Sequence, residues 1–392
     1  MKFYFVVNGF LGSQGTLEFI NNCYFTVNKY WMNLGLSSAP ELIFIEELNY
    51  LNFIRKIIKK ELNESKNSNE NNQFFKKNKI KHMKFFEYYK LKFNNENIFV
   101  GNMSLAKLIF TDIGYIFDCQ HLYLKSNFNV LQKIYRSTFF LLTLFFSKRI
   151  LVNSKSVKND LKRFYPIINP NKIINLPFMP IIKNKNFNSN FLLKKYNYDF
   201  LQDFKKFLLI SNRWWNHKNH LIVIKAFKEI RYYLEKNSDF ENNYLVISGS
   251  IKGNKGSTNI ADKARYYIKK NDLEKNIFIL DHVPDDLHNL LLSKCLGIIQ
   301  PTLFEGGPGG FCAWEAIGMN KPLALSNIEI NNELKDYVQE LIYFNPYSKE
   351  QIKDILKRFF NGEIKNSKCN NLDVNQYEFN YAKKIVEIKQ NI

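Results

Sequence analysis

Residues 297–327, GIIQPTLFEGGPGGFCAWEAIGMNKPLALSN, restrict the fold of this chain more than any other stretch. The apolar run Gly297–Pro301 has the length and branched content of a buried strand. Glu305 follows, then Gly306-Gly307-Pro308-Gly309-Gly310, then a segment opening near Phe311 that reads as a helix, then a second apolar strand, PLALS. Strand, loop, helix and strand in that order make one unit of a parallel sheet, because parallel neighbours need a crossover. Glycines in such a loop allow positive φ and close backbone approach, and the first N–H groups of the helix point at the loop's occupant. Phosphate or a sugar hydroxyl is the natural occupant. A tight structural connection uses the same residues, so the loop by itself does not decide between the two. Glu315 lies little more than one turn into the helix, so Glu305 and Glu315 are expected to face one crevice at the carboxyl end of the sheet, where open parallel sheets bind ligands.

A chain of 392 residues is long enough for two domains, each with its own core. With 45% hydrophobic and 23% charged residues it reads as globular and not as a disordered chain. The net charge of +20 raises nucleic-acid binding. The pattern weighs against that reading, because the basic residues are mostly Lys scattered among Asn, Ile, Phe and Tyr, with no arginine-rich stripe. Attraction to an anionic membrane surface remains. Cys23, Cys119, Cys295, Cys312 and Cys369 are odd in number, far apart and in no CxxC pair, which predicts reduced thiols and a cytoplasmic protein. MKFYFVVNGF is too short and too strand-like for a signal peptide, and Phe139–Phe146, FFLLTLFF, is too short to span a bilayer. The latter is expected to be a buried helix, with contact to a membrane interface as the alternative.

Along the chain, Phe3–Val7 predicts a strand, NGFLGSQGTLEF a glycine-bearing loop into a helix near 16–34, and 41–46 and 51–61 a strand and a helix. Asn63–Lys81 is rich in Asn, Lys, Ser and Glu and reads as a surface loop or insertion. The strand-like YIFD leads into Asp118-Cys119-Gln120-His121, followed by a helix over 129–147, the strand RILVNS and a helix capped by Ser154. Lys183–Phe200 is an Asn- and Lys-rich interval where the domain boundary is expected. The strand FLLIS then opens a second alternating half and ends in Asn212-Arg213-Trp214-Trp215-Asn216-His217-Lys218-Asn219. Two cations at a helix start are electrostatically unfavourable, so a bound anion explains Arg213 and Lys218 better than solvation does. His282, His288, Asp285 and Asp286 are spaced as metal ligands can be, but the acidic pair opens a helix, where it belongs electrostatically, and no D-x-D motif occurs. No metal and no other cofactor is expected.

The run EGGPGGFCAWEAIGMNKPLALSN resembles the donor-site signature of the retaining glycosyltransferases of family four, "glycosyl transferases group 1", in which E-G-x-G-x-x-x-x-E precedes A-x-x-x-G-x-P-V-x-x-S-N. It departs from that pattern in placing nine residues, not seven, between Glu305 and Glu315. Arg213 and Lys218 are similar to the basic pair of the family's G-R-x-x-x-x-K-G, with Asn212 and Asn219 in place of its glycines. The resemblance implies an α/β protein of two Rossmann-like lobes facing across a cleft, the GT-B arrangement. Residues 1–190 would be the acceptor-binding lobe, 200–372 the nucleotide-sugar-binding lobe, and 373–392 a helix crossing back to the first. It implies transfer of a hexose-type sugar, with retention, from a nucleotide diphosphate to a glycan or lipid-linked hydroxyl, as in surface polysaccharide or lipopolysaccharide assembly at the inner face of the membrane. Carried over by matching positions, Arg213 and Lys218 neutralise the leaving diphosphate, Glu315 accepts from the ribose, and Glu305 with Gly307, Gly309, Gly310 and Phe311 holds the sugar. His121 would orient the reacting sugar, and Gly12, with Gly15, would line the first loop. Two other readings are a non-catalytic relative that binds a nucleotide sugar or a partner transferase, favoured by the longer loop and lost glycines, and a nucleic-acid binder, favoured by charge alone.

Overall fold

Short apolar runs separated by helical segments build two purely parallel sheets in the computed structural model, which describes residues 2–7, 14–45, 80–94, 96–102, 109–179, 189–202, 206–236, 242–251, 257–364 and 374–390. The chain divides into two units, Met1–Met179 with Asp373–Ile392, and Pro180–Leu372.

The first unit runs β1 (Lys2–Val6), α1 (Gln14–Tyr30), β2 (Glu41–Ile45), β3 (Lys81–Met83), α2 (Phe85–Lys92), β4 (Asn97–Gly101), β5 (Ile113–Tyr115), α3 (Gln120–Tyr123), α4 (Val130–Phe146), β6 (Arg149–Val152), α5 (Lys155–Phe164) and β7 (Ile173–Asn175). Its sheet has the order β3-β2-β1-β4-β5-β6-β7. Phe3, Tyr4, Phe5 and Val6 are all buried, so β1 is covered on both faces, as a parallel strand between helical layers must be. Caps fix where the helices begin: Ser154 Oγ accepts from the Val157 amide at 2.9 Å, and Asn129 exchanges bonds with Gln132 in a capping box. The closing helix, Val374–Gln390, belongs to this unit. Tyr30 and Phe379 meet edge to face at 5.5 Å, Lys29 pairs with Glu378, and Lys384 Nζ donates to the Asn175 carbonyl at 2.8 Å.

The second unit runs α6 (Ser189–Lys195), β8 (Lys206–Ser211), α7 (His220–Lys236), β9 (Asn243–Ser248), α8 (Ser257–Lys270), β10 (Ile277–Ile279), α9 (Asp285–Lys294), β11 (Gly297–Gln300), α10 (Gly310–Gly318), β12 (Leu323–Ser326), α11 (Glu329–Asn332), β13 (Ile342–Phe344) and α12 (Lys349–Phe360). Its sheet order is β10-β9-β8-β11-β12-β13. The core joins Leu208, Ile210 and Ile247 of the sheet to Val223, Phe227 and Ile230 of α7 and to Ile355, Phe359 and Phe360 of α12.

The structure departs from the sequence reading in four places. Lys81, read as the end of an insertion, opens β3 and pairs opposite Ile43; residues 51–61 and 63–79 lie outside the described residues. The 183–200 interval contains α6, which buries only Leu192 and Leu193, too little apolar surface to stand out against Asn and Lys. The strand before His121 stops at Tyr115, and Gln120–Tyr123 is a short helix. Finally, FFLLTLFF is only half buried. Phe139, Phe140, Thr143 and Leu144 face the core, whereas Leu141, Phe145 and Phe146 are exposed, continuing a stripe begun by Leu131 and Ile134. No helix among the described residues is long and apolar enough to cross a membrane.

Candidate functional site

In the second unit the chain starts at β8, moves outward through β9 and β10, then returns to the other side of β8 at β11. The strand order thus reverses between β8 and β11, and the carboxyl ends of two such strands are where open parallel sheets bind ligands. Arg213 follows β8 and Glu305 follows β11.

The β8 loop is anchored by its aromatic residues. Trp214 is fully buried and stacks on His220 at 4.5 Å, while the Arg213 guanidinium lies 5.8 Å from the ring centre of its neighbour Trp215. Asn216–Lys218 forms one 3-10 turn, and Asn219 takes the left-handed conformation at φ 55° before α7 starts. A glycine is the ordinary occupant of such a position; Asn is among the few other residues that reach it at small cost, and its side chain donates here to the Pro346 carbonyl at 2.9 Å. The replaced glycine therefore leaves the turn intact. Leu303 N donates to the His217 carbonyl at 2.7 Å and so ties this turn to the β11 loop.

That tie brings Lys218 and Glu305 together. Lys218 Nζ donates to Glu305 Oε1 at 2.5 Å, with 11% and 8% of the two side chains exposed. The anion that the position of Lys218 before a helix demands is thus supplied within the protein.

The glycine loop is held from beneath. Gly309 and Gly310 have φ of 65° and 63°, successive left-handed residues that non-glycines rarely adopt. The Gly309 amide donates to Asn331 Oδ1 at 2.9 Å, Asn331 Nδ2 donates to the Ser326 carbonyl, and the Gly310 amide closes a turn on the Gly307 carbonyl at 3.1 Å. These two glycines hence serve the path of the chain, and their amides already have acceptors. Trp314, wholly buried on α10, donates from Nε1 to the Pro308 carbonyl at 2.9 Å. Glu305 lies over Gly310: a Cβ there would stand 3.4 Å from Glu305 Oε2.

Glu315 does not share Glu305's partner. His288 Nε2, on α9, is 2.8 Å from Glu315 Oε2, and His288 Nδ1 is 3.5 Å from Ser211 Oγ at the end of β8. The His and Asp residues grouped in sequence around position 285 do not gather: Asp286 instead accepts from Tyr196 at 2.8 Å and pairs with Lys195. Sequence reasoning missed the Asn331 tie and the His288–Glu315 contact, because both join residues from separate elements.

His121 sits in the first unit, on α3, almost wholly buried against Phe140 at 5.1 Å. Its Nε2 is 3.2 Å from Ser137 Oγ, and its Nδ1 is buried with no partner. Burial, reinforced by the Arg136 guanidinium, pushes its pKa down to about 3, so the ring is neutral at ordinary pH. Arg136 pairs with Asp118 at 2.6 Å and lies 4.9 and 5.1 Å from the Phe117 and Phe128 ring centres. An arginine four residues before Phe140, on the apolar face of a helix, was the available sequence signal for it. Gly12 lies outside the described residues.

Three imidazoles make stability pH-dependent. Burial first, then the neighbouring Lys218 charge, pushes His217 and His220 down to about 3 as well, from an ordinary 6.5. In the unfolded chain they bind protons below that ordinary value, whereas in the folded protein they do not. Their contribution is therefore complete above the unfolded pKa and is lost as pH falls from there toward the folded value. Each histidine steepens the loss by up to about 1.4 kcal/mol per pH unit. Urea unfolding compared at about pH 7 and pH 5 is expected to show this slope, and His220→Phe, which keeps the stack on Trp214, is expected to reduce it.

Residues 199–378, which span most of the second unit, match the family described as glycosyl transferases group 1. No curated protein matches the chain significantly by sequence. Among solved structures, Anabaena Alr3699/HepE in complex with UDP and glucose aligns over all of this chain and 98% of its own, at TM-score 0.61 and 11% identity. A glycosyltransferase from Rickettsia africae ESF-5 aligns over 100% and 96%, at TM-score 0.54 and 17% identity. WaaG, a glycosyltransferase involved in lipopolysaccharide biosynthesis, aligns over 98% and 95%, at TM-score 0.58 and 14% identity. At such identities the likeness is one of fold. Residues 199–378 thus resemble a glycosyl transferases group 1 domain, within a chain that has the GT-B fold.

Proposed function

We propose that the protein is a metal-independent retaining glycosyltransferase, moving a hexose-type sugar from a nucleotide diphosphate to a hydroxyl of a glycan or lipid-linked saccharide. The observation that carries this reading is the Lys218–Glu305 contact between the loops leaving β8 and β11, with Arg213 on the first of these loops. Fixed cations there stabilise the charge that develops on a leaving diphosphate, the task a metal performs elsewhere. Lys218 releases Glu305 and takes the diphosphate; Glu305, freed, accepts from sugar hydroxyls, joined by backbone near Gly307 and Phe311. Glu315 accepts from the ribose. His121 carries over from the resemblance as the neutral group that orients the reacting sugar. HepE, of the same fold, was solved with UDP and glucose, which supports a nucleotide-sugar donor, and WaaG acts in lipopolysaccharide biosynthesis, which supports a surface-glycan setting.

The exposed stripe Leu131, Ile134, Leu141 and Phe145, on a chain of net charge +20, supports peripheral contact with an anionic membrane where a lipid-linked acceptor resides. A non-catalytic relative loses one of its arguments, since Asn219 makes the left-handed turn that its missing glycine would make.

Thermal unfolding against a panel of nucleotide sugars tests the reading. One donor is expected to raise the melting temperature, equivalent to about 2.7 kcal/mol at a hundredfold excess over Kd. Glu315→Ala and Arg213→Ala are expected to weaken the shift. A shift that survives both variants puts the nucleotide elsewhere and overturns the assignment.

A further inference from the structure

Cys312 and Glu315 stand three residues apart on α10, hence on one helix face, and His288 reaches them from α9. One ligating atom from each, a thiol sulfur, a carboxylate oxygen and an imidazole nitrogen, all lie within 4.8 Å of one another. In a tetrahedral zinc site, bonds of about 2.0–2.3 Å hold ligand atoms roughly 3.3–3.8 Å apart, so side-chain movements of about an ångström suffice. The donor set is mixed and includes sulfur, which selects zinc-class ions over magnesium or calcium. A second feature completes the arrangement. A ligating histidine donates its other ring N–H to a nearby acceptor, and His288 Nδ1 has Ser211 Oγ at 3.5 Å for that purpose.

We propose that His288, Cys312 and Glu315 bind one zinc-class divalent cation, with water in the fourth position, and that the ion is inhibitory. The inhibition rests on the proposed role of Glu315: a carboxylate held by the metal no longer accepts from a ribose. Binding displaces the Cys312 thiol proton and leaves the remaining ring proton of His288 on Nδ1, toward Ser211 Oγ. The cation takes no part in transfer.

Cobalt titration of the full chain, followed by absorbance, tests both parts. Thiolate-to-cobalt charge transfer in the near ultraviolet, with the intense visible bands of four-coordinate cobalt, is expected to saturate at one equivalent and to be displaced by zinc. Cys312→Ser is expected to abolish the charge-transfer band, and His288→Gln, at a partly exposed position, to weaken binding by about tenfold or more. A missing band in the parent, or one that persists in Cys312→Ser, overturns the metal site. UDP is expected to raise the cobalt concentration needed. Bands that form equally well with saturating UDP overturn the inhibition through Glu315, an outcome separate from failure of the site.

Discussion

Replacing Arg213 with alanine is expected to lower the rate of the proposed sugar transfer by roughly 10²–10³, the usual cost of removing one preorganised charge-stabilising group. The side chain stands at the carboxyl end of β8 and is only partly buried, so its loss opens no cavity in the core. Trp214, its neighbour, keeps the loop anchored in the variant. The effect should therefore appear in kcat and kcat/KM together, with little change in the unfolding midpoint, because the interaction strengthens as the diphosphate departs. Arg213→Lys restores charge without the planar fork and is expected to recover part of the rate. Initial rates of transfer, with unfolding curves on the same preparations, make the comparison. A variant that turns over like the parent would show that Arg213 does not touch the leaving group.

Replacing Trp314 with alanine costs about 3–5 kcal/mol of stability. The indole is among the largest fully buried side chains, meets Tyr337 edge to face at 5.2 Å, and donates to the Pro308 carbonyl. Truncation leaves a large cavity under the glycine loop and a carbonyl without its donor. Against the ~5–15 kcal/mol that holds an ordinary domain together, the second unit is left near its folding limit. Trp314→Phe keeps most of the packing but not the bond, so it should cost about 1–3 kcal/mol. Denaturant titration distinguishes them. If the alanine variant unfolds within a kcal/mol of the parent, the loop does not depend on α10 for its support.

Much of this architecture was legible in the sequence because its signals are local. The 3.6-residue and continuous apolar patterns, the Ser154 cap and the glycine loop each depend on residues close in the chain. The order of elements alone then implies two parallel sheets. What stayed hidden depends on meetings between elements. Nothing around Asn331 announces that it holds Gly309 from 22 residues away, and His288 reads as one more polar residue on a helix until α9 and α10 lie side by side. The half-exposed face of α4 was hidden for another reason: a run of eight residues in which all but Thr143 are apolar carries no periodicity, so the sequence could not say which of them face the core. Asn219 shows the converse, a substitution that looks like a lost function in a motif but is conformationally nearly silent.

If the proposed transfer takes place at this site, the Lys218–Glu305 pair has a consequence for turnover. A donor that reaches this lysine exchanges one anion for another, so the site weighs phosphate against carboxylate instead of phosphate against water. Much of the electrostatic attraction on arrival is offset by breaking a contact already made. In the proposed reaction, the same exchange run backwards would help expel the nucleoside diphosphate once its sugar is gone: the carboxylate is tethered nearby and would re-form the pair. An internal competitor of this kind keeps product from becoming a trap, and it makes the resting site close to neutral where a bare lysine would gather any passing polyanion.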